Sequence, residues 1–262
     1  MSPSEPRFEV RVAESAADLR AAQRLRYDVF VTELGGDGPL VDHAQRLERD
    51  RFDPYCEHLL LIDTARNADP DGQVVGVYRV MTEDGAARAG QFYCADEYAL
   101  ATLLSSGRKV LELGRSCLHR DYRGGAAIYH LWNGLARVTL ERRIEVLFGV
   151  ASFHGTDVRA LAAPLANLLH RYLAPPDLRV RTRTAHYQSL DLMPAEEIDR
   201  ARAMRETPAL IKGYLRLGGF VGDGAFVDHA FNTVDICLVL DTARMNPRQR
   251  AIYTGELRET AG

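Results

Sequence analysis

No stretch of this sequence stays apolar for long enough to cross a bilayer. The longest nearly unbroken apolar run that reads as a strand, Leu59 to Ile62, falls far short of the ~20 residues a membrane helix needs. The polar start, MSPSEPRFEV, lacks the apolar core of a secretory signal, so the expected location is the cytoplasm. Net charge is only −3, from 33 basic and 36 acidic residues, which excludes a general attraction to nucleic acid and leaves only local electrostatic docking. Cysteine is sparse: Cys56, Cys94, Cys117 and Cys237 are far apart and form no metal-ligand pattern, so neither disulfides nor a bound metal is expected. Internal repeats and low-complexity tracts are absent.

What is present is the make-up of a folded globular chain, 46% hydrophobic and 26% charged over 262 residues. It reads as a single domain over 1–262, with a core of roughly 8–190 and a helical addition and closing strand over roughly 191–262. Phe8 to Val12 alternates like a strand. Ser15 followed by Asp18 resembles a capping box for a helix to about Phe30, whose Leu19, Ala22, Leu25, Val29 and Phe30 share a face. Leu34 to Asp53 is rich in Gly, Asp and Arg without a sustained period, and a loop of that length is uncommon unless it has a function.

His58 to Asp63 and Val74 to Met81 read as an antiparallel pair joined across Asn67 to Gly72, whose Pro-Asp-Gly is a turn signature. Further strands are expected at Lys109 to Leu118, Val146 to Ala151, Arg179 to Thr184 and Asp235 to Leu240, the last closing the sheet. Helices are expected at Ala126 to Arg143, from an Asp157 cap to Tyr172, at Pro194 to Arg205 and at Ala209 to Leu217. This order describes an α/β fold: a mixed, mostly antiparallel sheet covered by helices on both faces.

Two constellations carry chemistry. The first is Arg120-Asp-Tyr-Arg123-Gly124-Gly125-Ala126, a Gly-Gly step between a strand and a helix, where free backbone N–H groups and the helix dipole can hold a phosphate. It resembles the acyl-donor loop of the Gcn5-related N-acyltransferase superfamily, with Gly124 and Ala126 in the pattern and Asp121 standing where the superfamily has Gln or Arg. The second is Arg26 and Phe30 on the first helix, Glu48, Asp50 and Asp53 in the long loop, Arg79 on a strand, and Glu112-Leu-Gly-Arg115 on the next. That order and spacing resemble the acyl-homoserine-lactone synthases and their relatives, the N-acyl amino acid synthases and ornithine N-acyltransferases. The lactone synthases carry a tryptophan shortly after the helix phenylalanine, whereas Trp132 is the only one here. Glu112-Leu-Gly-Arg-Ser-Cys-Leu118, Ser152-Phe-His-Gly-Thr-Asp157, Ala209 to Gly218 and Phe231-Asn-Thr-Val-Asp235 look like the ornithine branch.

The resemblance implies transfer of a fatty acyl group from an acyl-phosphopantetheine thioester, on acyl carrier protein or alternatively coenzyme A, to the α-amine of ornithine, with no permanently bound cofactor. It implies Glu112 and Arg115 as catalytic residues, Glu112 being either the base or a carboxylate paired to an arginine. Arg26, Phe30, Glu48, Asp50, Asp53 and Arg79 are implied to bind the amino acid, whose ammonium and carboxylate call for both signs of charge. Arg120, Arg123, Gly124, Gly125 and Ala126 are implied to bind the donor. Arg179, Arg181 and Arg183, on one face of an alternating strand, are expected to meet an acidic carrier protein. Ala209 to Val221 reads as a core helix, with contact to a membrane surface as the alternative. Cys117 reads as a small buried hydrophobe and His154 as structural. The rival readings are a lactone synthase, an acyltransferase for another amino acid, and a non-catalytic module on the same fold.

Overall fold

The computed structural model describes residues 5–66, 68–245 and 251. Asn67 of the expected turn, and residues 1–4, 246–250 and 252–262 of the expected domain, lie outside the described residues. Among the described residues, contacts concentrate in two compact units, 5–66, 68–89, 113–143 and 251 in the first and 90–112 and 144–245 in the second. Between residues 5 and 245 the chain passes from one to the other at 89/90, 112/113 and 143/144.

The first unit begins with β1 (Phe8–Val12) and α1 (Ala16–Arg26), which continues as a wider turn over Tyr27–Glu33. The capping box is formed: Ser15 Oγ accepts from Asp18 N while Asp18 accepts from Ser15 N. β2 (Glu57–Asp63) follows the long irregular loop. A single turn, α2 (Pro70–Gln73) capped by Asp69, replaces the expected simple bend and leads into β3 (Val74–Thr82). β1, β2 and β3 pair antiparallel, as expected for the last two. The short α3 (Glu83–Ala89) has no counterpart in the sequence reading.

The second unit contributes β4 (Tyr98–Ala99), α4 (Ala101–Leu104) and the first three residues of β5 (Val110–Leu118). The remainder of β5 belongs to the first unit, lies beside β3, and leads through the Gly-Gly step into α5 (Ala127–Glu141). Successive strand residues point to opposite faces, and this places the helices. Leu60 joins Ala21, Ala22, Leu25 and Val29 of α1 in one core cluster, while its neighbour Leu59 meets α5 at Gly134. α1 and α5 therefore cover opposite faces of this part of the sheet. A Cβ on Gly134 would lie 2.4 Å from Val10 Cγ1, so only glycine allows α5 to approach so closely.

The rest of the second unit comprises β6 (Val146–His154), α6 (Ala162–Tyr172), β7 (Arg181–Thr182), α7 (Arg200–Glu206), α8 (Ala209–Arg216), β8 (Phe220–Asp228) and β9 (Thr233–Asp241). β5 and β6 run parallel, β6 pairs antiparallel with β9, and β9 with β8. Three expectations are corrected. β9 lies between β6 and β8 rather than closing the sheet, because Phe220–Asp228 is a strand that two glycines disguise; Gly224 sits at φ +85° where the β8–β9 register shifts. Asp157 caps only the turn at Arg159 and Ala160, and the helix begins at Ala162. The Arg179 to Thr184 strand shrinks to two residues, although its alternation of buried and exposed positions holds.

Candidate functional site

The long loop after α1 turns Glu48, Asp50 and Asp53 inward, against α1, β3 and β5. Arg26 donates through Nε to Glu48 and through Nη1 to Asp53 at 2.8 Å. Arg79 on β3 donates to Asp53 at 2.9 Å and to Asp50. Arg115 on β5 reaches Glu48 at 3.2 Å and Asp50 at 3.0 Å. The six side chains thus close an alternating ring, Arg26, Glu48, Arg115, Asp50, Arg79, Asp53 and back to Arg26, with no net charge. Gln23, one turn before Arg26, donates to the second Asp53 oxygen at 2.9 Å, and His58 Nε2 lies 3.3 Å from the Asp53 carbonyl oxygen.

Burial by itself would raise each of the three carboxyl pKa values, but the facing arginines outweigh it and hold Glu48, Asp50 and Asp53 below the usual carboxylate range. Burial likewise works against the charge on Arg26 and Arg79, and the carboxylates restore it. For His58 burial wins: it lowers the pKa to about 4, with Arg26 and Arg79 adding and Asp53 offsetting it only in part, so the imidazole is neutral at pH 7.

The ring sorts the expected amino-acid-binding residues. Arg26 is 0% exposed, and Glu48, Asp53 and Arg79 are nearly as deep. They face one another inside the ring and are almost wholly enclosed. Asp50 and Arg115 keep 16% and 12% of their side chains accessible. Phe30 is half-buried and packs on the α1 core cluster. Sequence reasoning missed Gln23 and His58; the only signal for Gln23 was its i, i+3 spacing from Arg26, which shares its helix face.

Arg115 adopts φ +49°, a left-handed backbone that costs a non-glycine residue roughly 1–2 kcal/mol. The distortion sits in mid-strand, where the ring holds the side chain. Three residues earlier, Glu112 is 4% exposed, and its two carboxylate oxygens accept from Tyr93 N at 2.8 Å and Cys94 N at 2.7 Å. The parallel β5–β6 register also ends there, at the Glu112–Phe148 pair, while β6 continues along β9 to His154.

The Gly-Gly step is exposed. Gly124 takes φ +77°, open space surrounds both glycines, and no side chain caps the start of α5 at Ala126. Arg120 is exposed, whereas Arg123 is tied to Glu33 at 2.8 Å and to the Leu118 carbonyl at 3.1 Å. The expected arginine face is also engaged locally: Arg179 with Ala174 O, Arg181 with Asp223 at 3.1 Å and over the Tyr187 ring, Arg183 with Ala95 O. Cys117 is buried and its thiol pKa is pushed up to about 12, chiefly by burial, which leaves no thiolate at neutral pH. Ile211, Tyr214 and Leu215 of α8 are buried, so that apolar face is core and is not offered to a membrane. Among the described residues no group of side chains is arranged to hold a metal, and no helix is long and apolar enough to cross a membrane.

Residues 25–133 match the model of the acetyltransferase (GNAT) domain family. The L-ornithine N(alpha)-acyltransferase of Rhodobacter capsulatus is 56% identical over 94% of this chain and 95% of its own length; the protein of that name from Brucella abortus is 42% identical over 95% and 89%. Among solved structures, FeeM, an N-acyl amino acid synthase from uncultured soil microbes, shares the fold with a TM-score of 0.52 at 13% identity, covering 92% of this chain and 93% of that one. Identity of that extent over nearly the whole of both chains shows that this chain belongs to the family of L-ornithine N(alpha)-acyltransferases, on a GNAT-like α/β fold.

Proposed function

We propose that this protein transfers an acyl group from a phosphopantetheine thioester to the α-amine of L-ornithine, forming an amide. The observation that carries the reading is the 56% identity over 94% of the chain to the Rhodobacter capsulatus enzyme of that name. The amine attacks the thioester carbonyl as a free base, and Glu112 accepts its proton, directly or through water. The N–H groups of Tyr93 and Cys94 fix the carboxylate in place for that task. Asp50 and Arg115, the accessible members of the ring, meet the ammonium and carboxylate of ornithine, and Arg26, Glu48, Asp53 and Arg79 hold them in position. The exposed N–H groups from Gly124 to Ala126, with the uncapped start of α5 and Arg120, receive the phosphate of the donor. Acyl carrier protein is the donor we favour, since exposed Arg183, whose side chain meets the neutral Ala95 carbonyl, offers positive charge to an acidic partner. We place the reaction in the cytoplasm.

Supplying the purified protein with ornithine, lysine, glycine, tyrosine and S-adenosylmethionine, each with acyl carrier protein or coenzyme A thioesters, tests this. Ornithine is expected to give N-acylornithine fastest. Preferential lactone formation from the adenosyl substrate, or an absence of turnover with every amine, would overturn it.

A further inference from the structure

Within the second unit, Asn167, His170 and Arg171 of α6, spaced to share one helix face, stand across from Ala195, Ile198 and Arg200 around a cleft of about 300 Å³. None of these residues has a part in the chemistry above. The lining carries two guanidinium groups and an imidazole and no carboxylate. Among the described residues neither Arg171 nor Arg200 has an ion-pair or hydrogen-bond partner for its side chain, although the chain's other arginines commonly do. The acids near by do not line the cleft, and His170 Nε2 lies 3.2 Å from the Met193 carbonyl oxygen. Asp199 accepts from Arg202 N at 3.0 Å, Asp191 lies 3.8 Å from His170 Nε2, and Glu196 and Glu197 do not line the cleft. Asn167 is 1% exposed, and its amide nitrogen meets only a weak acceptor in Met204 Sδ, at 3.4 Å.

A carboxylate has only two oxygens to share among its donors, whereas a tetrahedral phosphate has up to four and can take a full fork from each of two guanidinium groups on separate elements at once. We infer that this cleft binds a phosphate group, a phosphomonoester or phosphodiester, between Arg171 and Arg200, with the Asn167 amide as a further donor. The group can belong to a free phosphate compound or to a lipid headgroup. The inference is independent of the ornithine reading.

Inorganic phosphate titrated into the full-length protein, followed by the side-chain amide resonance of Asn167, tests it. The expected result is a saturable shift whose affinity falls at least tenfold in Arg171→Ser/Arg200→Ser. The same shift should persist in Arg120→Ser/Arg123→Ser, which alters the loop before α5. Arg171→Lys/Arg200→Lys keeps the charge but removes the forks, and should bind more weakly than the wild type even though its fold and net charge are unchanged. Flotation with phosphatidylcholine vesicles, with and without phosphatidylglycerol, separates the sources. Recovery with the anionic vesicles that the double Ser variant loses supports a headgroup, and a phosphate shift without vesicle recovery supports a free phosphate compound. An Asn167 resonance that neither phosphate nor vesicles move, or one that moves equally in the double Ser variant, overturns the inference.

Discussion

Arg115 Nη2 lies 3.0 Å from the Asp50 carboxylate, and this contact is where the ring of six charges comes nearest to solvent. On one side the ring is sealed by Arg26 and Asp53; on the other Asp50 and Arg115 keep an accessible edge, where we propose the zwitterionic substrate is met. The two ends should respond differently to the same chemical change. Asp53→Asn leaves buried Arg26 and Arg79 undercompensated and should destabilise the fold by roughly 3–5 kcal/mol, the usual loss when one partner of a buried ion pair is removed. Asp50→Asn should cost less stability and instead raise the KM for ornithine well above any change in the KM for the thioester. Urea unfolding and two-substrate kinetics on both variants give the comparison, and an equal stability loss without a KM effect would make Asp50 purely structural.

Glu112→Gln keeps the size of the side chain and can still accept from one backbone N–H. Turnover should fall by roughly 10²–10⁴, the range of a general-base contribution, with both KM values little changed. Near-normal turnover in the folded variant would reduce Glu112 to the anchor of the segment at Tyr93 and Cys94.

Stability should decline as pH falls below neutrality, in two stages. The folded pKa of His58, about 4, lies below the ~6.5 of an unfolded histidine, so the unfolded chain binds the proton first and stability is lost between those values, by up to about 3 kcal/mol. The ring carboxylates have depressed pKa values, so their contribution is complete above about pH 4 and is lost as pH drops further. His58→Gln should flatten the first stage and leave the second. Urea midpoints measured from pH 7 to pH 3 check this, and a variant as steep as the wild type between pH 6.5 and 4 would count against it.

Gly124 and Gly125 are both surrounded by open space, but only Gly124 has a left-handed φ. Gly124→Ala should therefore distort the loop at a cost of about 1 kcal/mol and raise the KM for the thioester, with Gly125→Ala closer to the wild type. Equal KM changes would mean that added bulk, rather than backbone conformation, obstructs the donor.

The sequence by itself determined the elements whose signals are local: the Ser15–Asp18 cap, the antiparallel β2–β3 pair, a strand over Asp235 to Leu240, and the strand, Gly-Gly step and helix from 110 to 141. It also determined the order of Arg26, Glu48, Asp50, Asp53, Arg79, Glu112 and Arg115, and through it the family. Only the tertiary structure decided what those charges do. Spacing along the chain cannot say whether an arginine and a carboxylate 22 residues apart face each other or water, and a loop of mixed charge reads as solvated until α1, β3 and β5 converge beneath it. Burial then makes pairing obligatory, since an uncompensated charge in the interior costs several kcal/mol, and four of the six ring residues are enclosed while Asp50 and Arg115 keep an accessible edge. β8 escaped for a related reason. Glycine and aspartate argue against a strand locally, and the pairing with β9 that overrides them is a contact between distant parts of the chain.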